Sequence, residues 1–262
     1  SHSWVALHPQ PKGVVQFLGG AFFGTFAPML FYRHLLRYFF DKSYTIVILP
    51  FSFSFNHYKE AVFLLKEQYA LIPELVSLAI AEGADPEVYL KADNYIWLGH
   101  SIGCKYIALL ESAGKLPAEE DALVQYLTEI LEQKLPDAAH EKFIRGIARQ
   151  LIDLRRGLVT DAMASKKLVF RCEGKQGNLV EDSASDPKFI YNDLFIRDQI
   201  SVLLAPVNSD TSSAVRIGAL AKWIDDRGWG VQPTPADTRN LIKKADLFHL
   251  LVATHIIAGA TG

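Results

Sequence analysis

The stretch Tyr95-Ile96-Trp97-Leu98-Gly99-His100-Ser101-Ile102-Gly103-Cys104 joins an apolar run to a helix-like segment that continues from Ile102 to Glu111. It reads as a strand, a sharp turn with a serine at its tip, and a helix. G-x-S-x-G in that context is the pattern of a nucleophile elbow. Its two glycines let strand and helix approach closely, and the serine hydroxyl is left exposed on a strained turn. The backbone N–H of Ile102 then points at the position of a reacting carbonyl oxygen. A five-residue G-x-S-x-G also arises by chance, so the flanking strand and helix carry the reading.

Around this stretch the chain alternates between β-like and helical segments. Ser3–His8 and Gly13–Leu18 read as short strands separated by a turn at Pro9–Lys12. Tyr44–Leu49 reads as the next strand, and Gln199–Pro206 as a later buried one. Between them Pro28–Phe40 and Asn56–Glu82 read as helices, the second with Ala61, Leu64, Leu65, Leu71, Leu75 and Leu78 on its buried face and a stop at Gly83. Such alternation predicts an α/β fold, a mostly parallel sheet with helices on both faces.

The remaining segments are less regular. From Pro117 to Ser165 apolar residues recur at helical spacing, Leu123, Leu127, Ile130 and Leu131, then Phe143, Ile144, Ile147, Leu151 and Leu154, which predicts a helical insertion over about 117–165. A short strand is expected at Leu168–Arg171 and a polar loop at Gly174–Lys188. Helices are expected over Ala214–Arg227 and Thr238–Leu247, and a last β-like run over Phe248–Thr254.

Composition narrows the function. The 262 residues are 50% hydrophobic and 21% charged, which suits one domain over 1–262 with a full core. A net charge of −2 offers no basic field for nucleic acid. Two cysteines, Cys104 and Cys172, supply neither a disulfide framework nor a metal cluster, and suit a reducing compartment. No signal- or transit-like segment precedes Ser3, so any targeting segment is expected to lie outside this sequence. Phe17–Phe40 is very apolar, but Gly19, Gly20, Gly24, Pro28, Arg33, His34 and Arg37 interrupt it. A spanning helix needs about 20 uninterrupted apolar residues, so no membrane span is expected.

Two loops are expected at the ends of parallel strands, where ligand crevices form in such sheets. Phe17-Leu18-Gly19-Gly20-Ala21-Phe22-Phe23-Gly24 has glycines that permit close backbone approach, but not the G-x-G-x-x-G spacing of a dinucleotide site, so no cofactor is expected. A phosphate-bearing ligand at this loop has only the glycines in its favour. Pro50-Phe51-Ser52-Phe53-Ser54-Phe55-Asn56-His57 places phenylalanines at alternating positions. Phe22, Phe23, Phe51, Phe53 and Phe55 are thus expected as an apolar substrate wall, and His57 as a solvated or capping residue at a helix start.

The opening SWVALHPQPKGVVQFLGGAFFGTFAPMLFYRHLL, with YTIVILPFSFSFNH, LGHSIGCKYIALLE, LLAPVNSDTSSA and PTPADTRNLI, resembles the α/β-hydrolase superfamily. More closely it resembles the cyanobacterial and plastid branch of domain-of-unknown-function family 1350. The resemblance covers most of the chain outside the helical insertion. It implies a plastid stroma or a cyanobacterial cytoplasm as the setting, and the insertion as a lid. It also implies that the loop after Gly13–Leu18 supplies the second oxyanion-hole N–H, from Gly20 or Ala21 beside Ile102.

An active serine also needs a base and an acid, which in this fold follow the serine in the order acid, then histidine. If Ile200–Pro206 is the seventh strand, Asp210 is the acid, and no histidine stands where the base is needed. If it is the sixth, Phe248–Thr254 is the seventh, His255 occupies the acid's slot, and Asp210 caps the following helix. The resemblance favours this second register. Then either a C-terminal strand and histidine lie beyond Gly262, or the chain keeps the elbow without the triad, with His255 as a direct base to Ser101. His100 is expected to face away from the hydroxyl by strand alternation.

Two functions follow. One is a serine hydrolase or acyltransferase on an apolar ester or thioester carrying a lipid-like acyl or prenyl group. The other is a catalytically degenerate subunit, binding protein partners through the apolar faces of the helical insertion.

Overall fold

The computed structural model describes residues 2–117, 119–130, 141–142, 144–153, 199–211, 218–226 and 230–245. Five of the expected strands form one sheet. β1 (Trp4–Ala6), β2 (Gly13–Leu18), β3 (Tyr44–Ile48), β4 (Tyr95–His100) and β5 (Ile200–Leu204) lie in the order β1-β3-β2-β4-β5. β1 runs antiparallel to β3, and all other pairings are parallel. β5 pairs directly with β4, from Ile96↔Ile200 to His100↔Leu204.

β2 is buried along its whole length, as expected of a central parallel strand covered on both faces. One face packs Val15, Phe17, Ile46, Ile48 and Leu98 against Leu36 of α3 (Arg33–Phe40). The other packs Val14, Leu18, Val47 and Trp97 against α4 (His57–Glu82) and α5 (Ile102–Gly114). The one polar side chain inside β2, Gln16, is satisfied from two directions. Its Nε2 donates to Gln199 Oε1 at 3.0 Å, and its Oε1 accepts from Gln68 Nε2.

The predicted bounds of α4 follow from its caps. The Asn56 side chain accepts from Lys59 N at 2.9 Å, and Gly83 closes the helix at φ +71°, a conformation that suits glycine. Leu78, expected on its buried face, is exposed.

Three expectations change. The helix predicted over Pro28–Phe40 is broken: α1 (Phe23–Phe26) and α2 (Pro28–Phe31) are single turns, and α3 begins only after Tyr32. The C-terminal helix predicted over Thr238–Leu247 starts earlier. Among the helices after β5, α7 spans Gly218–Asp226 and α8 spans Pro235–Lys244. Thr234 and Asp237 cap α8 reciprocally, with Pro235 in its first turn, so local hydrogen bonding sets the start.

The third change concerns the helical insertion, of which α6 (Glu120–Ile130) and a helical segment at 144–153 are described. Leu123, Leu127, Ile130, Ile144 and Ala148 are buried in the same core as α5. Among the described residues, these apolar side chains are therefore turned into the core. The expected strands at 168–171 and 248–254, the loop at 174–188 and Cys172 lie outside the described residues. No described helix is long and apolar enough to cross a membrane.

Candidate active site

β4 ends at His100 and α5 begins at Ile102, so Ser101 alone makes the turn between them, at φ 56° and ψ −122°. A non-glycine residue at positive φ is strained, and here the surroundings enforce it. Ser101 N donates to Leu204 O at 3.0 Å, which extends the β4–β5 ladder by one residue. Ser101 O accepts from Cys104 N at 3.1 Å and from Val207 N at 3.2 Å. The turn is thus tied to the helix it starts and to the loop after β5.

Glycine spacing makes this approach sterically feasible. A Cβ on Gly103 would lie 2.1 Å from Leu18 O, inside the backbone of β2. A Cβ on Gly99 would lie 2.6 Å from Ile107 Cδ1. The adjoining glycine loop folds back on itself in the same way, since a Cβ on Gly19 would meet Gly24 Cα at 2.6 Å. The two turns are therefore in backbone contact.

Gly20 sits against the serine turn: a Cβ there would be 3.1 Å from His100 Nδ1 and 3.5 Å from Ser101 Cβ. Its own N–H donates to Tyr32 Oη at 2.9 Å, and the same hydroxyl is 2.8 Å from His100 Nδ1. Gly20 N–H is thereby directed to Tyr32, while Ala21 is the next residue of the loop and Ile102 the first of α5. Burial lowers the His100 pKa and raises that of Tyr32, so both are neutral hydrogen-bonding groups at pH 7. Tyr32, the residue at which the predicted helix breaks, is thus what holds the glycine loop to the serine strand.

The neighbouring thiol is no rival nucleophile. Burial pushes Cys104 up to about 12, which leaves no useful thiolate at pH 7.

The expected phenylalanine wall divides. Phe51 is buried and packs on Tyr106, with ring centroids 4.9 Å apart. Phe53 is 67% exposed and Phe22 also faces solvent, while Phe55 is half-buried and lies 6.0 Å from the Phe53 ring. Phe23 lies in α1. Phe51 therefore belongs to the core, and Phe22 and Phe53 to the surface.

His57 is a clear correction. It is buried and not solvated, with its ring edge-on to Tyr106 at 5.5 Å and no hydrogen-bond partner at Nδ1. The capping role falls to Asn56. Burial first, then the charge of Lys105, lowers the His57 pKa to about 4. The cause lies far along the chain. His57 N donates to Gln232 O at 2.7 Å and Gln232 N to Phe55 O at 2.8 Å, which folds the 230–235 segment over the start of α4.

Lys105, one turn into α5, pins the same segment. Its Nζ donates to Pro233 O at 2.7 Å and to Ser209 O at 3.3 Å. Burial lowers its pKa to about 8, against the opposing charges of Asp237 and Asp210. Asp210 thus lies in the loop after β5, close enough to act on Lys105. His255 lies outside the described residues.

Sequence reasoning passed over Tyr32 and Lys105. Lys105 had a signal, as the sole charge between Ile102 and Leu110 in an otherwise apolar helix. Tyr32, inside the run Phe31-Tyr32-Arg33, had none.

A mostly parallel α/β sheet with a serine presented at a strand-to-helix turn, against a glycine loop on the adjoining strand, defines the class. Residues 1–148 match the family described as "Protein of unknown function (DUF1350)", and the chain belongs to that family. No curated protein matches it. Among solved structures it is similar to a lipase/esterase from Lactobacillus plantarum, 13% identical over 86% of this chain and 88% of that one, with a TM-score of 0.32. It is also similar to MGS-MChE2, an α/β hydrolase enzyme from the metagenome of lagoon sediments at Mar Chica, Morocco. That protein is 15% identical over 87% of this chain and 97% of its own, with a TM-score of 0.23.

Proposed function

We propose that the protein is a serine hydrolase or acyltransferase that acts on an apolar ester or thioester, with Ser101 as nucleophile at a nucleophile elbow. The observation that carries this reading is the strained Ser101 backbone, held at φ 56° beside Gly103, where any Cβ would meet the backbone of β2. Proteins retain such strain where it serves a function. In the reaction the Ser101 hydroxyl oxygen attacks the substrate carbonyl and its proton passes to a base. The oxyanion so formed accepts hydrogen bonds from Ile102 N–H and Ala21 N–H, and the alcohol or thiol leaves with a proton. Water, or a second alcohol in a transferase, then releases the acyl group. His255 is the candidate base, and Asp210 bears on the site through Lys105.

A fluorophosphonate probe tests the reading. The full-length protein is expected to be labelled and Ser101→Ala to remain unlabelled. Absence of label on the intact protein would exclude an activated serine. It would favour the second reading, a binding subunit on a hydrolase scaffold, which rests on a histidine in the acid's slot.

A further inference from the structure

Residues 22–31 place five large apolar side chains at the surface within ten positions: Phe22, Phe26, Met29, Leu30 and Phe31. Phe26 is 77% exposed, Leu30 70% and Met29 55%, and Phe22 stacks on Phe26 with ring centroids 5.3 Å apart. Scattered exposed apolar residues are ordinary, but a run of this size on two consecutive helical turns is a patch. It begins within the loop whose glycines touch the Ser101 turn.

The sequence that carries it is one-sided in charge. Residues 13–40 contain Arg33 and Arg37 and no aspartate or glutamate, the first carboxylate being Asp41. Arg33 and His34 are exposed at the start of α3, immediately after the patch, and Arg37, one turn on, pairs with Asp41 at 2.8 Å. Phenylalanine, leucine and methionine followed by arginine is the composition of a segment that lies in the headgroup region of a bilayer. There the apolar side chains enter the acyl boundary and the cations meet anionic headgroups.

We propose that Phe22–Phe31, with Arg33, is a docking surface for an anionic lipid bilayer, and that it sets the glycine loop and the Ser101 turn at the lipid–water interface. The surface lies on the membrane and does not span it. It does not depend on Ser101 being reactive.

The test is co-sedimentation of the full chain with equimolar phosphatidylglycerol and phosphatidylcholine vesicles, beside vesicles of phosphatidylcholine alone. The wild type and Ser101→Ala are expected to pellet equally with the anionic vesicles, and less at high salt. Phe26→Ser with Leu30→Ser should weaken binding at least about tenfold. Arg33→Gln should weaken it about fivefold on anionic vesicles and leave phosphatidylcholine binding unchanged. Both side chains of the double variant are exposed, so its thermal midpoint is expected to match the wild type. Should it unfold, Arg33→Gln and the salt dependence decide alone. A wild type that ignores vesicles overturns the proposal, as does a folded double variant that binds normally. A dimer that the double variant dissociates, without lipid affinity, would assign the patch to a second copy of this chain. Loss of fluorophosphonate labelling in a vesicle-binding wild type would overturn the hydrolase reading and leave this surface standing.

Discussion

The serine turn and the 230–235 segment are both fastened to α5, but by opposite means. At the turn the contacts are steric, with Gly99, Gly103, Gly19 and Gly24 bringing backbone against backbone. Over the helix they are polar, with Lys105 reaching Pro233 and Ser209 and the Phe55–His57 segment pairing with Gln232. Thr211 Oγ1 accepts from Val231 N at 2.8 Å and closes the same joint. A steric joint is indifferent to pH and has no tolerance for volume. A polar joint tolerates small shifts in shape but depends on protonation.

The steric joint should be the easier to break outright. Gly103→Ala sets a methyl 2.1 Å from Leu18 O, and that atom is backbone of the central strand. No side-chain rotation relieves it, so α5 must lift from β2. The expected cost exceeds the usual overpacking range, more than about 4 kcal/mol. Urea denaturation checks this, and a midpoint close to wild type would show that the two elements do not meet as described.

The polar joint should respond to acid. Unfolded His57 takes up a proton below about 6.5, whereas the folded imidazole resists until about 4. The cause is burial, reinforced by Lys105 and by its position at the N-terminus of α4, where a cation is disfavoured. Between those values the unfolded chain binds more protons than the folded one, so stability falls as pH falls. The full window corresponds to about 3 kcal/mol, and solvent screening brings the expected loss to about 2 kcal/mol. Denaturation midpoints from pH 7 to pH 4.5 should show it, and His57→Phe should flatten that part of the profile. An equal slope in the variant would assign the acid sensitivity to the carboxylates.

The same contrast explains what the sequence discloses. The steric joint is legible because its signals are local: glycines two residues either side of Ser101, an apolar strand before and an apolar helix after. Asn56 and Gly83 likewise mark the ends of α4. The polar joint is not legible, because its partners lie far apart in the chain. His57 follows a helix cap and looks solvated until Gln232 is known to cover it. Thr234-Pro235-Ala236-Asp237 did carry a capping signal, and periodicity alone placed that helix start too late. The phenylalanine wall divides because residues 51–54 are loop and not strand, where positions two apart need not share a side, so Phe51 is buried and Phe53 exposed.

Tyr32 belongs to both kinds of joint, and its removal should have the smallest effect on stability and a selective one on chemistry. Its hydroxyl accepts from Gly20 N and meets His100 Nδ1, so it ties the glycine loop to the residue before Ser101. The ring also packs edge-on to Phe17 at 4.6 Å, a contact that Tyr32→Phe retains. Losing the hydroxyl alone should therefore cost about 1 kcal/mol in unfolding. The glycine loop, however, loses the bond that directs Gly20, and with it the placement of the Ala21 N–H that the proposed oxyanion site requires. Oxyanion stabilisation depends on donor placement to a few tenths of an ångström, so the rate of fluorophosphonate labelling should fall about tenfold. Apparent probe affinity should stay near wild type, because the surface aromatic residues are untouched. His100→Asn separates positioning from mere packing. An amide can restore a partner for the Tyr32 hydroxyl, so this variant should label faster than His100→Ala. Equal labelling by the two would leave the tyrosine a packing residue only.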